Sequence, residues 1–158
     1  ILIIMSDKNV VITGAGGLLG PEHASALNEL GYNVIMLDND KTSLNNKFIK
    51  INKNKKYKTK ILKYFCDISN EEAVNKVSLD LKKKNLIVDV LINNADLNPK
   101  MKKYKNNFSG RVEDYSIENL KNEISVGIVG SFICSKIFGE HMKIKKKGSI
   151  INVSSDLE

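Results

Sequence analysis

Arginine is almost missing from this sequence. Of its 25 basic residues only Arg111 is an arginine, the rest being lysine, although the net charge reaches +7. A surface that reads nucleic acid gathers arginine and aromatic side chains on one face, and only 6% of these residues are aromatic. The lysines collect instead around 52–63 and 143–147, in a connection and at a helix end. That is how a solvated basic surface is built, and it sets a nucleic-acid partner aside. Cysteine is equally sparse: Cys66 and Cys134 lie far apart in different predicted elements. No disulfide framework follows, and both read as reduced core thiols of a cytoplasmic protein. Long apolar runs are missing too. Residues 1–4 are too few for a signal or a membrane span, and they precede Met5, so they read as a non-native extension. His23 and His141 share no ligand spacing with each other or with either cysteine. They are expected to be exposed helix residues, and no metal site is expected. No internal repeat or low-complexity linker divides residues 5–158, and 42% hydrophobic content over 158 residues is enough to bury one core.

What the chain does contain is concentrated in residues 10–38, VVITGAGGLLGPEHASALNELGYNVIMLD. Val10, Val11 and Ile12 form a short β-branched run, as expected of a parallel strand buried on both faces. Thr13 then opens a turn holding Gly14, Gly16, Gly17 and Gly20, where backbone can approach a ligand closely. Leu18, Leu19, Ala24, Leu27 and Leu30 recur at helical spacing, Pro21 suits a first helical turn, and Gly31 is a natural stop. Such a helix aims its free N–H groups and positive dipole end at the glycine turn, which suits a diphosphate. A second strand over 33–37 ends on Asp38, where a ribose diol would lie. This is a dinucleotide-binding βαβ unit, with Thr13, Gly14, Gly17, Leu19, Gly20 and Asp38 as cofactor residues. Its spacing is not G-x-G-x-x-G, because Leu19 occupies the last glycine.

Further along, 44–51 is weakly helical and a third strand covers 61–66, followed directly by Asp67 and Ile68. Ser69 and Glu72 form an S-x-x-E capping box before a helix through Val74, Val77 and Leu81. A fourth strand over 87–92, interrupted by Asp89, ends in Asn93-Asn94-Ala95. Residues 96–115 form a long polar connection of the kind that covers binding sites. Ser116 caps a helix running to about Lys143, whose residues Ser125, Gly127, Gly130, Ser131 and Ser135 give it a narrow face for close packing. Gly148 ends it, and 149–153 is a fifth strand followed by Ser154 and Ser155.

Strands alternating with helices predict an α/β fold, a Rossmann-type doubly wound parallel sheet in three α/β/α layers. In such a sheet the ligand lies outside the carboxyl ends of the strands. Gly14, Asp38, Asp67, Asn94 and Ser155 all fall there, and their convergence says more than any single motif.

In order and spacing the chain resembles the short-chain dehydrogenase/reductase family over 9–155. VVITGAGGLLG is similar to the family's cofactor turn, CDI to its adenine-side acid, LINNA to its fourth-strand motif and GSIINVSS to its fifth strand. The resemblance implies that Asp67 and Ile68 contact adenine, that Asn94 and Ala95 flank the nicotinamide ribose, and that Ser155 is catalytic, bonding the substrate carbonyl or hydroxyl. It implies an NAD(P)-dependent oxidoreductase acting on a small-molecule alcohol or carbonyl, homo-oligomeric (dimer or tetramer) when complete. NAD is preferred over NADP, because Asp38 would repel a 2′-phosphate and no arginine lies nearby. A looser likeness, carried by LLGPEHASAL, by NNAD with NPK following, and by VSSDL, is to sugar-pathway members linked to nonulosonate and flagellin modification.

The departures from the family are as informative. Many members place glycine where Leu18 stands, glycine where Asp96 stands, and asparagine where Gly127 stands. The Tyr-x-x-x-Lys that supplies the family's acid/base phenol is absent, since no tyrosine has a lysine four residues later. The fifth strand, apolar on both faces, would be an unprotected edge. These features predict a chain truncated after that strand and unable to turn over substrate alone. The alternative reading is a non-catalytic dinucleotide-binding module.

Overall fold

The structure is a computed structural model, and it describes residues 8–54, 58–97 and 111–154. Residues 1–4, and with them the reading of a non-native extension, lie outside the described residues. Five strands form one parallel sheet: β1 (Asn9–Thr13), β2 (Asn33–Asp38), β3 (Ile61–Phe65), β4 (Val88–Asn93) and β5 (Ser149–Asn152), in the order β3-β2-β1-β4-β5. The connecting helices are α1 (Gly20–Glu29), α2 (Lys41–Lys53), α3 (Glu71–Lys83), and the pair α4 (Ile117–Glu123) and α5 (Ser131–Lys145). This is the predicted Rossmann-type architecture.

Strand alternation builds the layers. Val10, Ile12, Val34 and Met36 face one way and pack with Ala24 of α1 and with Leu44 and Ile51 of α2. Val11, Ile35, Leu37 and Leu91 face the other, against Val74 and Leu81 of α3 and Phe138 of α5. Both faces of β1 are fully buried, as its β-branched run requires. Asp89, which interrupts the apolar pattern of β4, is accounted for locally. Its Oδ2 accepts the Asn9 N–H at 2.8 Å and its Oδ1 the Lys145 ammonium at 2.6 Å, beside a register shift between β1 and β4. Cys66 and Cys134 are free and buried, and burial pushes their thiols up to about 11 and about 12, so neither is a reactive thiolate. No described helix is long and apolar enough to cross a membrane.

Several expectations need correction. Leu18 and Leu19 are not part of the apolar helix face; they sit exposed on the glycine turn, and Leu30 is exposed at the far end. The cap of α3 is Asn70, whose side chain accepts the Ala73 N–H at 3.0 Å from an extended backbone, while Ser69 turns back to Asp67. Segment 44–51 is the middle of a longer helix, α2, because Asp40 accepts two first-turn N–H groups and extends it backwards. Ser116 does cap α4, but α4 and α5 are joined by a π-helical segment, Ile124–Gly130, rather than running on in α geometry. Two glycines in that segment ease the departure. The stop of α5 is Lys146 in the left-handed region (φ 51°), not Gly148. Gly148 serves packing instead: a Cβ there would lie 2.3 Å from Met142 Cγ. β5 is exposed along its length, with Ile150 and Ile151 open on opposite faces.

The histidines are also corrected. His23 is half-buried. His141 is fully buried, between α3, α5 and β4. The Val88 N–H donates to its Nδ1 at 3.2 Å, so Nδ1 must be the bare nitrogen, and Nε2–H donates to Ser78 Oγ at 2.7 Å. Protonation would turn Nδ1–H against Val88 N–H. Burial, with help from the charges of Lys82 and Lys145, lowers the His141 pKa from 6.5 to about 4. Because the folded value is depressed, the stability is present above about 6.5 and is lost as pH falls towards 4. Unfolding by denaturant across this range should show a loss of roughly 3 kcal/mol from this group. His141→Gln, which keeps an acceptor for Val88 but cannot titrate, should flatten the dependence.

Candidate functional site

Parallel strands align their carboxyl ends, and the order β3-β2-β1-β4-β5 reverses direction between β1 and β4. The crevice of a doubly wound sheet opens at such a switch point. Here it is built by one set of contacts. Thr13, last in β1 and fully buried, accepts the backbone N–H groups of Asn94 and Ala95 on its hydroxyl, each at 3.0 Å. The Asn94 side chain returns its amide to Thr13 O at 3.0 Å and Gly14 O at 3.3 Å. The chain leaving β4 is thereby laid against the glycine turn leaving β1. Gly14 makes this possible. Its φ is +64°, and a Cβ there would lie 2.8 Å from Ala95 Cα. Gly20 is required for the same closeness on the helix side, where a Cβ would sit 2.3 Å from Gly14 O.

The turn itself presents Gly17, Leu18 and Leu19 to solvent at the start of α1. α2, α3 and α4 each begin under a side-chain cap, but Leu19 gives α1 none, and Pro21 takes the first turn as expected. Pro21 has no N–H and Leu19 O takes the Glu22 and His23 N–H groups, so what α1 offers an anion is its positive dipole end, reached over the glycine turn. On the β2 side, Asp38 is held in place from both oxygens: Oδ2 accepts Gly16 N–H at 2.8 Å and Oδ1 accepts Asp40 N–H at 2.7 Å. A carboxylate has about four acceptor positions, so two remain for a ligand. Asp67 is exposed after β3, its Oδ1 taken by both donors of Ser69 at 2.9 and 2.7 Å. Ile68 is buried and lies against Gly130, whose absent Cβ would meet Ile68 Cδ1 at 2.8 Å.

The structure thus gathers Thr13, Gly14, Gly17, Leu19, Gly20, Asp38, Asn94 and Ala95 around the switch point, with Asp67 and Ile68 one strand further out. Ser155 lies outside the described residues, as does most of the connection after Asp96. Thr13 and Asn94 differ from the others in that the side-chain bonds described for them are spent on shaping the crevice.

Three roles were not legible in the sequence. Asn93, in register with Asn152, donates its amide to Asn152 Oδ1 at 2.8 Å and to Ser135 Oγ at 3.1 Å, tying β4 to β5 and α5, while its own Oδ1 is buried without a partner among the described residues. Asparagines ending two strands that feed one crevice were the available signal. The π-helical segment was announced only by the pair Gly127 and Gly130. Tyr115 donates to Glu123, and that bond, with the nearby charge of Glu123 and Asp96, pushes the phenol up to about 12. It is no base at neutral pH.

Thr13→Val keeps the shape and removes the acceptor of two N–H groups. Unfolding measurements should show a loss of about 2 kcal/mol or more, whereas Thr13→Ser should stay within about 1 kcal/mol of the parent.

Comparison with known proteins agrees with this geometry. The short chain dehydrogenase family matches residues 8–158. The meso-2,3-butanediol dehydrogenase of Serratia marcescens is 30% identical over 149 residues, 94% of this chain and 53% of that protein. The NADP-dependent mannitol dehydrogenase of Alternaria alternata is 28% identical over 98% of this chain and 55% of its own length. A crystal structure of NAD+-bound xylitol dehydrogenase superposes with a TM-score of 0.80 at 25% identity, over 96% of this chain and 54% of that one. The chain spans about half the length of the relatives it matches. It belongs to the short chain dehydrogenase family.

Proposed function

We propose that this chain is the cofactor-binding portion of an NAD-dependent dehydrogenase that interconverts an alcohol and a carbonyl on a polyol or sugar-derived substrate. One observation carries the reading: the uncapped start of α1 stands over an exposed glycine turn, between a locked carboxylate on one side and the Asn94–Ala95 backbone on the other. These groups fit a dinucleotide. The positive end of α1 matches a diphosphate, with Gly14, Gly17, Leu19 and Gly20 keeping the backbone close. Asp38 accepts from the adenosine ribose hydroxyls. Asp67 and Ile68 border the adenine, Asn94 and Ala95 the second ribose, and Thr13 holds the floor. When bound, the nicotinamide accepts or donates the hydride. The chain orients it, and Ser155 is proposed to bond the substrate oxygen. The relatives that carry substrate names include dehydrogenases of butanediol, glycerol, mannitol and xylitol, which supports a polyhydroxylated substrate.

The second reading, a binding module without turnover, draws on the missing Tyr-x-x-x-Lys. General acid–base assistance is worth about 10²–10⁴-fold, so residues 1–158 alone are expected to bind cofactor with turnover near background. Assaying polyols, keto-sugars and nucleotide sugars against this chain and a longer one checks this. Comparable rates in both would move the proton relay into residues assigned here to structure. Association of copies is proposed as well, on the exposed apolar side chains Ile117, Ile128 and Phe132 of the long helical arm and on the open faces of β5. A cytoplasmic setting is proposed on the two free, buried thiols.

For the cofactor, Asp38 supports NAD. Its two N–H bonds prevent the carboxylate from swinging away from an added 2′-phosphate. Titration should give tighter binding of NAD than of NADP. Asp38→Asn, which keeps an acceptor but loses the charge, should shift the ratio towards NADP by about tenfold. Tighter NADP binding by the parent would remove the assignment.

A further inference from the structure

We propose that Asp96 makes the site discriminate between the two redox states of its cofactor, favouring the oxidised form. The inference rests on the cofactor reading above. With Asp38 taking the adenosine ribose on the β2 side, a dinucleotide laid across the switch point puts its nicotinamide half on the β4 side. The chain leaves β4 there through Asn94 and Ala95, pinned by Thr13, and the next side chain is Asp96. Asp96 is exposed, and its Oδ1 accepts the adjacent Leu97 N–H at 2.9 Å. No cation among the described residues pairs with it.

Gly127, in the π-helical segment, is the facing residue: a Cβ there would stand 3.5 Å from Asp96 Oδ1, at contact distance. Glu123, one turn earlier, and Asp96 both act on the Tyr115 phenol, so the charges described around this spot are negative although the chain carries +7 overall. The oxidised nicotinamide ring bears a positive charge and the reduced ring none. Diphosphate, riboses and adenine are the same in both. A carboxylate near the ring therefore acts on the difference between the two affinities and leaves the shared part alone. At a separation of several ångströms on a solvated surface, Coulomb attraction is worth about three- to tenfold in affinity.

The test is to titrate the chain with NAD+ and with NADH, as the parent, Asp96→Asn and Asp96→Glu, with far-UV circular dichroism confirming that each is folded. Asp96→Asn should weaken NAD+ by about three- to tenfold and leave NADH within about twofold. Asp96→Glu should keep the parental ratio, and 0.5 M salt should shrink the parent's preference, as screening requires. An unchanged NAD+/NADH ratio in Asp96→Asn, or equal changes in both affinities, would overturn the role of Asp96 while leaving the cofactor site standing. A folded parent that binds neither form would overturn the cofactor reading, and this inference with it.

Discussion

The hydroxyl of Thr13 is the contact on which the rest of the crevice depends. Two strands that diverge in topology at the switch point must still be close at their carboxyl ends, or no dinucleotide could bridge them. Sheet hydrogen bonding ends with the strands and cannot supply that closeness. Thr13 does so by accepting two backbone N–H groups from the chain leaving the neighbouring strand, and Asn94 answers with its amide. Every group in this exchange is a backbone or short side chain, so the geometry has little freedom. Gly14 and Gly20 follow from it: each stands where a Cβ would collide with backbone rather than with a movable side chain.

A second constraint lies on the other face of β4. Asn93 and His141 are both polar and buried, and both link β4 to α5, one at each end of the strand. Burying polar groups is costly unless they are bonded, but bonded groups specify an arrangement that apolar packing alone would leave loose. Just before these links the helical arm runs in π geometry, next to Ile68 and Asp96. The departure lies beside the crevice, where π segments often occur.

Most of the fold was legible in sequence because it rests on local rules. A β-branched run buried on both faces, a glycine turn, Pro21 in a first helical turn and Gly31 with positive φ (85°) all appear where the residues require. Errors arose where two local readings competed. Ser69 and Asn70 can both cap a helix, and the choice fell to Asn70 because Asp67 captured the Ser69 donors. Leu18 and Leu19 fit the helical period, but α1 begins after them.

By itself, then, the sequence determined the strand and helix order, the parallel sheet and the set of residues that reach its carboxyl edge, since hydrophobic period and turn chemistry act between near neighbours. Only the tertiary structure decided which of those residues are spent on the scaffold and which remain open to a ligand. Thr13 and Asn94 bond across about 80 residues, His141 is buried by β4 and α3 rather than by its own helix, and Asp96 faces Gly127 from another element. Such pairings depend on how distant segments meet in space, and no periodicity within one segment encodes them.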